Sequence, residues 1–193
     1  MAKLYFHYSS MNAGKSTALL QANHNYFERG MNTLLFTAKL DQRQGDGIIR
    51  SRIGIYHDAH TFSPEDNLLL VFQKIHQAKR IDCVLVDEAQ FLLKKQVKEL
   101  GEIVDLEEVP VLTYGIRSDF LGETFQGSQY LLAWADEIKE IKTICHCGKK
   151  ATMNARVNSA GKMETQGDQI EIGGNERYVS LCRKCYRSGE TGH

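Results

Sequence analysis

The sequence predicts an α/β fold: a doubly wound parallel sheet, followed by a small C-terminal module of a different kind. Three observations point there. From residue 3 to about residue 144, apolar runs of strand length alternate with segments of helical periodicity. The runs are continuously apolar rather than alternating, as strands covered on both faces require. After Ile144 the pattern breaks, and four of the five cysteines fall among glycines and short polar strands with no helical stripe.

The elements follow in order. "KLYFHY" (3–8) and "NTLLFTA" (32–38) read as buried strands, with a helix over 15–28 that stops at Gly30. "SPEDNLLLVFQKIHQ" reads as a helix capped by Ser63, with Pro64 in its first turn and Leu68, Val71, Phe72 and Ile75 on one face. "DCVLVDE" is a third strand, and Leu93, Val97, Leu100 and Val104 mark the next helix. "VPVLTYGI" is a fourth strand, Tyr130, Leu131, Trp134 and Ile138 a further helix, and "IKTI" a last strand. A boundary near 143–145 divides the chain into domains 1–143 and 144–193. The segment 39–60 is polar and weakly patterned, a candidate closing loop carrying Arg43, Arg50 and Arg52.

Composition narrows the function. The chain has 193 residues with 42% hydrophobic, enough for one sizeable core. Lysine plus arginine and aspartate plus glutamate balance at 24 each, which argues against a nucleic-acid binder. No apolar stretch approaches the length of a membrane span, and "MAKLYFHYSS" lacks a signal-peptide pattern. The expectation is a cytoplasmic protein without membrane or nucleic-acid partners, whose cysteines are thiols or metal ligands rather than disulfides.

The stretch "YSSMNAGKST" carries the first chemistry. A strand runs into Gly14, Lys15 and Ser16, the end of a phosphate-binding loop. In such loops backbone N–H groups at a helix N-terminus converge on phosphate, lysine adds charge, and the hydroxyl ligates Mg²⁺. The first glycine of the usual pattern is Ser9. "CVLVDEAQF" supplies the partner strand: Asp87 suits Mg²⁺, and Glu88 suits a general base toward an attacking hydroxyl. "DEAQ" also resembles the strand motif of helicases, but those need two sheet domains and this chain has room for one.

The cysteines form two knuckles, Cys145 with Cys147 and Cys182 with Cys185. Four thiolates make a closed tetrahedral set, which suits structural zinc and leaves no open position for catalysis. Cys83, inside an apolar strand, reads as a buried thiol. Three readings remain open on residues alone: a small-acceptor phosphotransferase, a nucleic-acid-stimulated ATPase and a zinc-ribbon binding module.

Three segments decide among them. "SSMNAGKST", "LVDEAQF" and "IGGNERYVSLCRKCY" resemble the zinc-containing type II thymidine kinases, and the likeness runs from the first strand to Cys185. Enteric-bacterial members of that family also carry serine at the first glycine position. The resemblance implies transfer of the ATP γ-phosphate to the 5′-hydroxyl of thymidine, and also of deoxyuridine, with Mg²⁺, a structural Zn²⁺, feedback binding of dTTP and a homotetramer. By position it implies Glu88 as the base. The ATP side is Ser9, Ser10, Met11, Asn12, Ala13, Gly14, Lys15, Ser16 and Thr17 with Asp87, Gln90 and Arg43. Ser16, Asp87 and Asp41 fall to Mg²⁺. Met11, Phe91, Ile116 and Phe120 surround the thymine. The substrate loop, the lasso, carries Ile170, Ile172, Gly173, Gly174, Asn175 and Tyr178.

Overall fold

A computed structural model describes residues 1–40, 47–170 and 177–192. The expected site residues Asp41, Arg43, Ile172, Gly173, Gly174 and Asn175 lie outside the described residues. The core is a six-stranded parallel sheet in the order β5-β2-β6-β7-β1-β8. Its strands are β1 (Leu4–Ser9), β2 (Thr33–Ala38), β5 (His60–Phe62), β6 (Cys83–Val86), β7 (Val111–Ile116) and β8 (Glu137–Glu140).

Alternation along the strands divides the core in two. Leu34, Phe36, Val84 and Val86 join Leu4, Phe6 and Val111 under helices α2 (Leu68–Ala78), α3 (Lys94–Glu107) and α4 (Gln126–Trp134). Leu35, Cys83, Leu85 and Tyr114 face the other way, onto Leu19 and Leu20 of α1 (Lys15–Glu28). Helices thus cover both faces, which is why the inner strand β6, Cys83–Val86, is apolar and buried at every position. The C-terminal ends of the parallel strands open on one side, the usual place for a ligand in such sheets.

Three expectations are corrected. The helix expected from Ser63 begins at Leu68, and Asn67 is its cap, accepting from the Leu70 N–H. Ser63 instead donates its N–H and Oγ–H to Asp66, closing a turn around Pro64. Ile138 is not in α4 but in β8, which stands at the sheet edge where "IKTI" was expected. An edge strand that is half exposed has no apolar run to reveal it. The described part of 39–60 is an antiparallel hairpin, β3 (Ile48–Arg50) with β4 (Tyr56–Asp58), pinned by the buried Ile49. Strands of three residues are too short to show a period.

Beyond β8 come two small antiparallel pairs, β9 (Thr143–Ile144) with β10 (Lys150–Ala151) and β11 (Met153–Arg156) with β12 (Tyr178–Leu181). Helix α5 (Arg183–Ser188) follows. A separate apolar cluster of Cys145, Ala151, Ala155, Leu181, Cys182 and Cys185 holds them together. Among the described residues no helix is long and apolar enough to cross a membrane.

Candidate active site

The phosphate loop joins β1 to α1. Gly14 caps the helix at φ +86°, with open space where a Cβ would stand, so glycine is needed there for its backbone angle. Asn12, at φ +60°, is a residue type that tolerates the left-handed region. Ser9 is in ordinary strand backbone and needs no glycine. Its buried hydroxyl donates to the Ser10 carbonyl and accepts from Lys15 Nζ at 3.1 Å, so the serine becomes a partner of the loop lysine. Ser9 and Ser10 stand behind the cleft wall, whereas Met11 to Thr17 line it.

The acidic pair leaves the end of β6. Asp87 is 4% exposed and accepts from Ser16 Oγ at 2.8 Å. Glu88 follows at φ +52°, and its carboxylate accepts from Gln90 Nε2. The same Gln90 amide is fixed through its oxygen, Oε1 accepting from the Ile116 N–H at 3.2 Å. Two glycines let this turn sit close. A Cβ at Gly115 would stand 2.9 Å from Gln90 Oε1, and one at Gly127 only 2.4 Å from the Ala89 carbonyl. Gly127→Ala therefore pushes α4 against the turn that carries Glu88. We expect a loss of roughly 1–3 kcal/mol in stability and a fall in turnover, read by thermal melting and steady-state kinetics. An unchanged melt would show that α4 yields freely.

Burial and the adjacent Glu88 carboxylate push Asp87 up to about 7, against the hydrogen bonds from Ser16 and the Glu88 N–H and the nearby Lys15 charge. The unfolded side chain titrates near 3.8. With the folded value the higher, stability falls as pH rises from about 4 to about 7, and the full penalty persists above that. Asp87→Asn removes the penalty. The ligand-free variant should melt higher than the parent at pH 8, by roughly 5 °C, with the gain shrinking toward pH 5. A gain independent of pH would refute the assignment.

One cleft of about 500 Å³ connects these groups to an apolar pocket. Met11, Phe91, Ile116, Phe120, Ile170 and Tyr178 line it together with Asp87, Glu88 and Gln90. Phe91 meets Phe125 edge-on at 5.8 Å, and the Arg156 guanidinium stands 3.8 Å from the Phe120 ring centroid. Buried Arg156 also donates to Glu164 and to the Asp168 and Gln166 carbonyls, while Glu164 accepts from Arg177. That ion cluster thus ties together the described segments on both sides of 171–176. Arg50 and Arg52 of the β3–β4 hairpin reach the same cleft.

Several lining residues escaped the sequence. Phe125, Asn154 and Gln169 carry no local signal. Asp119 does, because its Oδ1 accepts from the Leu121 and Glu123 N–H groups, a turn that "SDFLGE" advertises. Its other oxygen accepts from Gln169 at 2.9 Å.

The four cysteines converge. The Sγ atoms of Cys145, Cys147, Cys182 and Cys185 all lie within 4.8 Å of one another, and Cys147 and Cys182 are 3.7 Å apart. Tetrahedral zinc with bonds of about 2.3 Å spaces its sulfurs about 3.8 Å apart, so the set fits. Cys182 caps α5, and the backbone N–H of Cys185 is the main influence drawing its thiol down to about 6. Burial pushes the neighbouring Cys185 thiol the other way, up to about 12, so the first proton leaves the set from Cys182. His146 turns away to the Glu190 carbonyl, at 3.1 Å.

A strand-to-helix phosphate loop whose serine meets an acid just past the end of a parallel strand of the same sheet places this chain among the P-loop nucleotide-binding proteins. Comparison with known proteins narrows the class. The family model described as thymidine kinase matches residues 2–186, and the chain belongs to the thymidine kinase family. It is 59% identical to the thymidine kinase of Shewanella oneidensis over 187 residues, 97% of each chain. It is 57% identical to that of Legionella pneumophila strain Lens over 193 residues, all of this chain and 92% of the other. The Vibrio cholerae thymidine kinase is 55% identical, over 97% of each chain. Among solved structures, a DNA replication initiation factor aligns with a TM-score of 0.39 and 16% identity, over 72% of this chain and 40% of that one.

Proposed function

We propose that this chain transfers the γ-phosphate of ATP to the 5′-hydroxyl of thymidine, with deoxyuridine as a second acceptor, giving the nucleoside monophosphate in salvage. One observation supports this above the rest. The phosphate loop, phenylalanine, isoleucine and methionine side chains, and Glu88 all line a single cleft.

The residues divide the work. Backbone N–H groups between Asn12 and Thr17 take the phosphates, and Lys15 offsets charge on the group in transfer. Glu88 takes the proton of the 5′-hydroxyl as that oxygen attacks in line. The aromatic and thioether walls suit a flat pyrimidine face, and Tyr178 stands at the sugar side. Ser16 and Asp87, already bonded to each other, are the described residues that would hold Mg²⁺. The ion, when bound, would neutralise charge across the phosphates. Asp41 and Arg43 are assigned to the same end by the family pattern. The four thiolates are assigned to a structural Zn²⁺ that anchors the 144–193 domain. A homotetramer and dTTP feedback are assigned by family resemblance, and a cytoplasmic location from a sequence with no membrane-length apolar stretch and cysteines that suit a metal.

The test is ADP release from ATP with thymidine, deoxyuridine, deoxycytidine or single-stranded DNA added in turn. Stimulation by thymidine and deoxyuridine is expected. Stimulation by DNA with indifference to thymidine would replace the kinase reading with an ATPase.

A further inference from the structure

We propose that Asn154 is a positioning residue: it ties the phosphate loop to the acceptor side of the cleft through the backbone of Met11, and so couples the binding of the two substrates. This rests on the kinase reading above.

Met11 has both of its backbone polar groups committed to the β11–β12 hairpin. Its N–H donates to Asn154 Oδ1 at 2.7 Å, and its carbonyl accepts from Ser180 Oγ. Asn154 and Ser180 are directly paired across the hairpin, so one rung of it grips one residue of the loop. The next loop residue adds a third tie, Asn12 Nδ2 donating to the Tyr178 carbonyl at 3.3 Å.

Asn154 is 2% exposed, and its amide is used at both ends. While Oδ1 holds Met11, Nδ2 donates to the Ser118 carbonyl at 2.7 Å, in the segment between Ile116 and Phe120. A buried amide that loses either partner forfeits about 1–3 kcal/mol, so its orientation is firmly set. Three parts of the cleft therefore meet at one side chain: the ATP loop, the ring pocket and the hairpin bearing Tyr178.

The chemistry of the loop gives this a consequence. A phosphate loop binds by pointing successive N–H groups inward. The Met11 N–H points instead at Asn154, so it marks where the inward curve begins. A hairpin drawn toward the nucleoside must carry Met11 with it, and a loop closed on phosphate must carry the hairpin. Such a joint makes each substrate favour the other, by the same factor in both directions.

The experiment titrates a non-hydrolysable ATP analogue into the full chain, with and without thymidine. For the parent, thymidine tightens analogue binding, in the usual range of about 5–150-fold. Asn154→Ala should weaken the analogue when it binds alone and bring the thymidine effect close to one-fold. Ser180→Thr keeps a hydroxyl donor for the Met11 carbonyl and should retain the thymidine effect that Ser180→Ala loses, which general loosening of the fold would not predict. Metal content and melting temperature check that each variant is folded. Should Asn154→Ala fail to fold, Ser180→Ala removes the other tie to Met11 and must also reduce the thymidine effect. A folded Asn154→Ala or Ser180→Ala chain with undiminished coupling overturns the proposal, as does a parent without coupling. A parent that makes no ADP with thymidine overturns the kinase reading instead, a result distinct from either.

Discussion

Glu88→Gln should lower turnover by ~10²–10⁴-fold while nucleotide still binds, the usual share of a general base. The substitution keeps the size of the side chain and leaves an acceptor for Gln90, whose amide oxygen stays fixed on the Ile116 N–H. The turn should hold its shape, and the loss should fall on turnover rather than on binding. Steady-state rates with thymidine, alongside titration of ATP, separate the two. Near-parental turnover would remove Glu88 from the role and leave Asp87 as the only other cleft acid on that turn.

Stripping the metal is the second large effect. Metal analysis should find about one zinc per chain. A strong chelator should then lower the melting temperature and raise the thymidine requirement by ~10-fold or more, with a smaller rise for ATP. The asymmetry follows from the connections. Cys182 directly follows β12, which carries Tyr178, whereas the phosphate loop keeps its own anchors in β1 and α1. Without metal, four thiols within 4.8 Å of one another lose the ion that would hold them together, and the small cluster around Ala151, Ala155 and Leu181 remains. A chain that contains no zinc, or one whose thymidine requirement is indifferent to chelation, would defeat the assignment.

Much of this was legible in the sequence, and unevenly so. The central strands were, because parallel strands covered on both faces leave continuous apolar runs such as "CVLV" and "LLF". The chemistry that depends on chain-local spacing was too: the glycine, lysine and serine of the loop, the paired acids, the four cysteines. The edges were not. β5 and β8 have one neighbour each, and their exposure removes the pattern that a reader needs. The Ser63–Asp66 turn misled because a serine before proline and acids reads like a helix start, and only the Asp66 carboxylate decides otherwise. Asn154 was invisible for a further reason. Its importance lies in partners 143 and 36 residues away, and no local pattern encodes those.

The backbone of Glu88 leads to a different kind of statement. A glutamate at φ +52° is strained by about 1 kcal/mol or more, and it follows a carboxylate buried against its own preference for charge. Two consecutive positions are thus worse for folding than simple replacements would be: glycine or asparagine at 88, asparagine at 87. A laboratory selection that rewards only heat resistance should drift to those residues and arrive at sturdy, silent proteins. Natural chains that retain both acids would then record selection for phosphate transfer more plainly than any well-packed core position could.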